Sequence, residues 1–370
     1  MQSKKELPPA DLAIQGDSLA NAGKLEARED SLELALALSL QAGFTTKVLA
    51  DVETEAVESA LEEDAADDPA IWYNSDDPVR SLVLGTDKNA GIYVYNLEGQ
   101  QIQSRKVGEI NNIDLRDGFK YGGKEVVLVA GSNRSNNCIT LFTIDRETGV
   151  LSDSLINIPS GVDEVYGLCM YRNKLEDEFH VFVNGKGGSL EQWIITSQGG
   201  LHAELLRRTR LSSQPEGMVA DDQSGRLYAG VEGEGIFRLD TDPEGDTTLY
   251  LIQGSTAENT NIAYDIEGLA LFSTNQSDYL IASIQGNFSY AIFDLKGEGS
   301  YITSFIIPEG KIDGVEETDG LEIITLPLNK RFPMGILVVQ DGFNSEGSQA
   351  RSQNFKFISA DKILDLLVIQ

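Results

Sequence analysis

The chain has 370 residues, 41% of them hydrophobic, and carries 29 Lys plus Arg against 59 Asp plus Glu, a formal net charge of −30. That length can bury a large core, while the acidic excess excludes nucleic acid as a partner, because duplex binding needs a basic face to neutralise phosphates. No apolar run reaches membrane-spanning length, and two cysteines, Cys138 and Cys169, give neither a disulfide framework nor a cysteine zinc site.

Residues 1–45 do not share the pattern of the rest and are read as an N-terminal extension, a remnant of an upstream domain being one origin. The opening MQSKKELPPADLA lacks the apolar core of a secretory signal, so export is absent or the signal has been removed. Leu32, Leu34, Leu36, Leu38 and Leu40 alternate as in a strand, whereas the Ala, Glu and Leu content prefers helix. The next segment, KVLADVE, is predicted to be a strand that completes the last unit of a closed ring and carries Glu53 toward the C-terminal half. Asp51, Glu53, Glu55, Glu58, Glu62, Glu63, Asp64, Asp67 and Asp68 then follow without a basic residue among them. Such a stretch stays disordered or collects hard cations, since oxygen-only ligand sets select calcium over zinc or copper.

From residue 46 to 370, β-rich runs such as GIYVYNL, EVVLVAG, FHVFVNG, YLIASIQ and GILVVQ end in Gly, Asn and Asp turn signals. A long polar residue marks the loop after each second run: Lys88, Arg134, Lys186, Glu232, Gln285 and Asp341, separated by 46, 52, 46, 53 and 56 residues. A second series, Asp68, Ile113, Gly167, Gly217, Gly268 and Gly320, advances by 45, 54, 50, 51 and 52. Each period holds about four short strands, the size of one propeller blade. The predicted fold is therefore all-β, a six-bladed β-propeller with four-stranded blades, in which both series of loops crowd the channel. Cys169, inside LCMY, is expected in the core; pairing with Cys138 is left open. His180 and His202 are expected to be structural or surface residues.

The first three loops carry cations and the last three carry acids or an amide. Lys88, Arg134 and Lys186 converging in an acidic protein make an anion site, with a guanidinium fork suited to phosphate, and Tyr166 adds a hydroxyl. Glu216, Glu232, Asp265, Glu267, Gln285, Asp319 and Asp341 supply oxygens that would repel one another unless cations neutralised them, and several calcium ions are the simplest resolution. The histidine-phosphatase Arg-His-Gly motif and the Cys-x5-Arg loop are absent from the sequence, so direct attack of water held by calcium on phosphorus is favoured over a covalent route.

DDPAIW, SNRS, DEVYG, EGMVADD, DIEGL, IQGN, TDGLE, VQDG and NFKF, in this order from about Val48 to the C-terminus, resemble the β-propeller phytases, the calcium-dependent alkaline phytases. The resemblance implies a calcium-dependent hydrolase of phytate, myo-inositol hexakisphosphate, acting outside the cytoplasm in the extracellular space or periplasm; a monomer is expected. It implies Lys88, Arg134, Tyr166 and Lys186 as phosphate contacts. Glu53, Asp67, Asp68, Glu216, Glu232, Asp265, Glu267 and Gln285 look like ligands of catalytic calcium, with the division between Asp67 and Asp68 open. Asp319, Asp341 and Asn344 look like a structural calcium site. The chain departs from the family where Gly187, Gly188 and Ser189 follow Lys186 in place of acids, and where only Glu234 accompanies Glu232. Both departures imply a higher calcium demand. A non-catalytic propeller binding calcium and polyphosphate is the alternative reading. A calcium-dependent lactonase or phosphotriesterase is another, though it has no use for the cationic triplet.

Overall fold

The structure, a computed structural model, describes residues 31–61 and 63–368. Six four-stranded antiparallel sheets are arranged as the blades of a propeller. Blade 1 begins with Ala66–Trp72, blade 2 with Ile110–Tyr121, blade 3 with Val165–Asn173, blade 4 with Pro215–Asp221, blade 5 with Ile266–Ser273 and blade 6 with Leu321–Ile324. These inner strands touch one another around the axis. The second strands, such as Lys124–Asn133 and Ile336–Asp341, are buried almost throughout and not on alternate residues. Both faces of a blade pack against neighbours, which favours continuous apolar runs. The core is accordingly a ring of interblade layers, for example Trp72, Leu84, Val129 and Phe142 between blades 1 and 2, and Ile281, Tyr290, Val339 and Ile358 between blades 5 and 6. Cys138 and Cys169 are free and buried, and His180 is buried.

The ring closes through the N-terminal strand Val52–Glu53, which pairs with Asn354–Ser359 with Val52 opposite Phe357 and Glu53 opposite Lys356. Blade 6 thus takes three strands from the C-terminal end and its outer strand from the N-terminal side. The leucine-rich segment is helical over 31–41. Composition outweighs the two-residue alternation, which distributes leucines around the helix and leaves Leu32 and Leu36 exposed. Residues 1–30, and Glu62 of the acidic run, lie outside the described residues.

Five inner strands carry a bulge at the same place, two residues facing one of the second strand: Asp67–Asp68, Asn111–Asn112, Tyr166–Gly167, Glu216–Gly217 and Glu267–Gly268. Asp319–Gly320, just ahead of Leu321, is the equivalent pair of blade 6. A bulge re-aims side chains, and here the first member of each pair belongs to the channel mouth. The second member must be small where inner strands approach closely. A Cβ at Gly167 would stand 1.9 Å from the Glu216 carbonyl oxygen, and one at Gly217 2.0 Å from that of Glu267. The structure moves two markers of the repeat by one residue. Asn112, not Ile113, occupies the bulge. Lys88, Arg134, Lys186, Glu232 and Gln285 each donate their backbone N–H to the loop ahead of the inner strand, and in blade 6 that bond comes from Gly342, to the Glu316 carbonyl, not from Asp341.

Candidate active site

The bulges and the loops after the second strands deliver their side chains to one mouth of the channel. Lys88 Nζ lies 2.8 Å from Asp64 Oδ2, 3.3 Å from Asp67 Oδ2 and 3.2 Å from Asp319 Oδ2. Burial alone would depress this ammonium, but the surrounding carboxylates of Asp319, Asp67 and Asp64 raise it well above its ordinary value, so it stays charged. The Gln285 amide donates to the other oxygen of Asp319. Arg134 Nη1 donates to Asn111 Oδ1 at 3.2 Å, and Asn111 Nδ2 donates to Glu216 Oε1 at 3.1 Å. Lys186 Nζ sits 4.9 Å from the centre of the Tyr166 ring and 3.2 Å from Glu164 Oε1. The three cations are thus tied to one set of acids, through Asp67 and Asp319, through Asn111, and through Tyr166.

At the centre of that set, Glu216, Glu232 and Glu267 offer carboxylate oxygens that all lie within 4.8 Å of one another. Burial and the neighbouring Glu216 raise Glu267 well above the usual carboxylate range. Burial pushes Glu232 up to about 7, Glu216 and Asp265 adding to it while the Gln214 amide and Lys186 pull it back. Asp265 is likewise raised by burial and by Glu216. Burial, followed by the charges of Glu216, Glu267 and Asp67, pushes the Tyr166 phenol far up, so it remains a neutral donor. Among the described residues no hydrogen-bond donor reaches Glu267 Oε2 or Asp67 Oδ1, and Asp67 Oδ2 has only the Lys88 ammonium at 3.3 Å. Buried acceptors without donors are costly, and oxygens so arranged fit a hard cation of the calcium type.

Among the remaining sequence-assigned residues, Asp68 parts from Asp67, a division left open, while Asp319 and Glu53 stand elsewhere than expected. Asp68 turns away from its neighbour Asp67 and accepts the Ile113 N–H at 3.0 Å inside the channel. Asp319 stands with Lys88 and Gln285 at the mouth, not with Asp341 and Asn344. Glu53 stands apart from the glutamate trio. Its Oε2 lies 2.9 Å from Lys356 Nζ, which is fully buried and also contacts Asp313 Oδ1, Asp341 Oδ2 at 3.2 Å and Asn344 Oδ1 at 3.4 Å. The acidic run is neither a disordered segment nor a single cation site over its described residues. Asp51 pairs with Lys362, Glu58 with Lys106, and Asp64 and Asp67 with Lys88. Sequence reasoning missed Asn111, Gln214, Asp313 and Lys356, and held Asp64 only as one member of the acidic run. Asn111 was accessible, because it precedes the blade 2 bulge position of the repeat; Lys356, one cation within an apolar strand, carried no such signal.

The family model described as Phytase matches residues 27–369. A curated relative, the 3-phytase of Bacillus subtilis (strain 168), is 39% identical over 326 residues, which cover 86% of this chain and 84% of the relative. A solved structure of a functionally unknown protein from Desulfotomaculum acetoxidans DSM 771 aligns with a TM-score of 0.42 at 17% identity, over 64% of this chain and 70% of that one. With a family match and a curated relative that each span most of its length, the chain belongs to the phytase family.

Proposed function

We propose that the chain hydrolyses phosphate monoesters of phytate at the channel mouth, with calcium as its metal. The observation that carries the reading is the trio of the buried Glu216 and Glu267 with the half-buried Glu232, whose oxygens lie within 4.8 Å of one another, bordered by Lys88, Arg134 and Lys186. Glu216, Glu232, Asp265 and Glu267 would hold calcium, with Asp67, Asp319 and Gln285 beside them. When bound, calcium supplies positive charge for the phosphoryl oxygens and acidifies a water beside phosphorus. Lys88, Arg134 and Lys186 bind and orient the phosphate groups, Arg134 with two parallel donors. Tyr166, held neutral by burial and the charge of Glu216, keeps its hydroxyl as a donor for the site and carries Lys186 over its ring. Asn111 is the positioning residue that sets Arg134 against Glu216. No side chain needs to form a covalent intermediate.

Asp341 and Asn344 stay with Glu53 and Asp313 around Lys356, where three carboxylates face one ammonium and leave net negative charge for a stabilising ion. Among the described residues no helix is long and apolar enough to cross a membrane. The reading places a monomeric enzyme outside the cytoplasm, where millimolar calcium is available. Phosphate release from phytate, measured in calcium and in chelator, tests it. Release in calcium that chelation abolishes is expected. No release in calcium refutes the phytase reading, and release untouched by chelator refutes the metal.

A further inference from the structure

The helix over 31–41 belongs to no blade, yet it is fixed on the face that carries the site. Gln41 Nε2 donates to the carbonyls of Phe288, at 3.2 Å, and Val315, at 3.1 Å, and Ala37 is buried. The chain that follows is held as well, since Val48 N–H donates to Ile306 and Ile306 N–H donates to Thr46. Between this helix and the blade 5 loops lies a cavity of about 500 Å³ lined by Glu33, Leu34, Ala37, Asp265, Gln285 and Glu317 among others. Asp265 and Gln285 belong to the catalytic mouth, so the cavity is continuous with it. Glu33 is near enough to Asp265 for its charge to add, after burial and Glu216, to the upward shift of that carboxyl.

The mouth is therefore polar in the electrical sense. Lys88, Arg134 and Lys186 stand on blades 1 to 3, and beyond the proposed calcium ligand Asp265 the opposite rim carries Glu33 and Glu317. We propose that the N-terminal helix is a specificity wall. It closes the blade 5 side of the site, and its Glu33 carboxylate repels surplus phosphate groups, so that a polyphosphorylated ring is held toward blades 1 to 3. The proposal rests on the phosphate-cleaving reading of the mouth. A substrate with a single phosphate, bound only at the centre, has nothing to place against the wall and is indifferent to it.

The test uses the full chain in saturating calcium, with Glu33→Gln and Glu33→Lys, and compares phytate with 4-nitrophenyl phosphate. One charge acting across a partly solvated cleft changes binding roughly threefold, and reversal of its sign changes it about tenfold, at low ionic strength. KM for phytate should fall by those factors and the gain should vanish in high salt. The kcat values, the single-phosphate substrate and the melting temperature should all remain close to wild type. Equal changes for both substrates, or an unchanged KM for phytate, would overturn the proposal. Should the wild type release no phosphate from phytate, the functional reading fails separately. Calorimetric binding of phytate to the same three proteins then decides the wall: affinity rising from Glu to Gln to Lys supports it, and equal affinities overturn it.

Discussion

Replacing Glu267 by glutamine should stabilise the metal-free protein while removing its activity. Glu267 shares a 4.8 Å neighbourhood with Glu216 and Glu232 and keeps one buried oxygen without a donor among the described residues. If it remains ionised, a second carboxylate no more than 4.8 Å away repels it by at least about 3.5 kcal/mol at an effective dielectric of ~20. If it takes up a proton at neutral pH, an acid with an ordinary value of 4.5 incurs about 3.4 kcal/mol to do so. The amide avoids either cost, so about 3 kcal/mol is released in chelator. Unfolding entropy near 2.1 cal/mol/K per residue, summed over the propeller, gives about 0.7 kcal/mol/K and hence a rise of about 4 °C. In calcium the order changes, because each 100-fold loss of affinity removes about 2.7 kcal/mol of ligand stabilisation. Wild type and variant should then melt together, and phosphate release should fall at least a hundredfold. Differential scanning calorimetry in chelator and in calcium reads both arms. A Glu267→Gln protein that melts below wild type in chelator, or that keeps the full calcium-induced rise, would show that the trio is not a strained metal site.

The pH dependence of metal-free stability follows from the same acids. Glu232 has its folded value raised to about 7 from 4.5, so its contribution is complete below about pH 4.5 and lost as pH rises through about 7. The melting temperature in chelator should therefore fall across that window, and Glu232→Gln should flatten the fall. Lys356→Met should lower stability by about 3 kcal/mol, since it leaves the buried Asp341 beside Asp313 and the half-exposed Glu53 without their cation; an unchanged denaturant midpoint would contradict the clamp. At Gly187, an added Cβ would stand 2.2 Å from Asp163 Oδ2. That carboxylate ends an exposed side chain that can swing aside, so Gly187→Glu should reduce the calcium needed for half-maximal activity, and Asp163→Ser with Gly187→Glu should reduce it at least as far. Equal midpoints for the double variant and wild type would count against a missing ligand in that loop.

The blade count, the closing strand and the face of the site were legible because each blade repeats one local pattern: a bulge ahead of an apolar run and a polar residue after the next. The register within the pattern was less legible. The bulge adds one residue, so Ile113 and Asn112, or Asp341 and Gly342, satisfy the spacing equally well, and only the backbone hydrogen bonds separate them. Asp341 consequently looks inward to Lys356 and not to the mouth. The grouping of Glu53 with Asp341 and of Asp319 with Lys88 depends on contacts between the two ends of the chain, which no local period encodes. Asp67 and Asp68 could be separated only by the bulge, which sends one to Lys88 and the other to the Ile113 amide.

The seam between the first and last blades runs through the channel mouth proposed as the active site. Lys88 and Asp319 meet across a separation of 231 residues, and Lys356 reaches Glu53 across 303. During synthesis, blades 1 to 5 can each pair their own strands as they emerge. The Lys88 pocket, however, lacks Asp319 until the sixth blade arrives, and the outer strand Val52–Glu53 waits for Asn354–Ser359. On the proposed function, competence is thus a property of the finished chain: a product that stops short of residue 354 holds five sound blades but leaves Val52–Glu53 unpaired and the ring open at its seam, and is expected to be inactive.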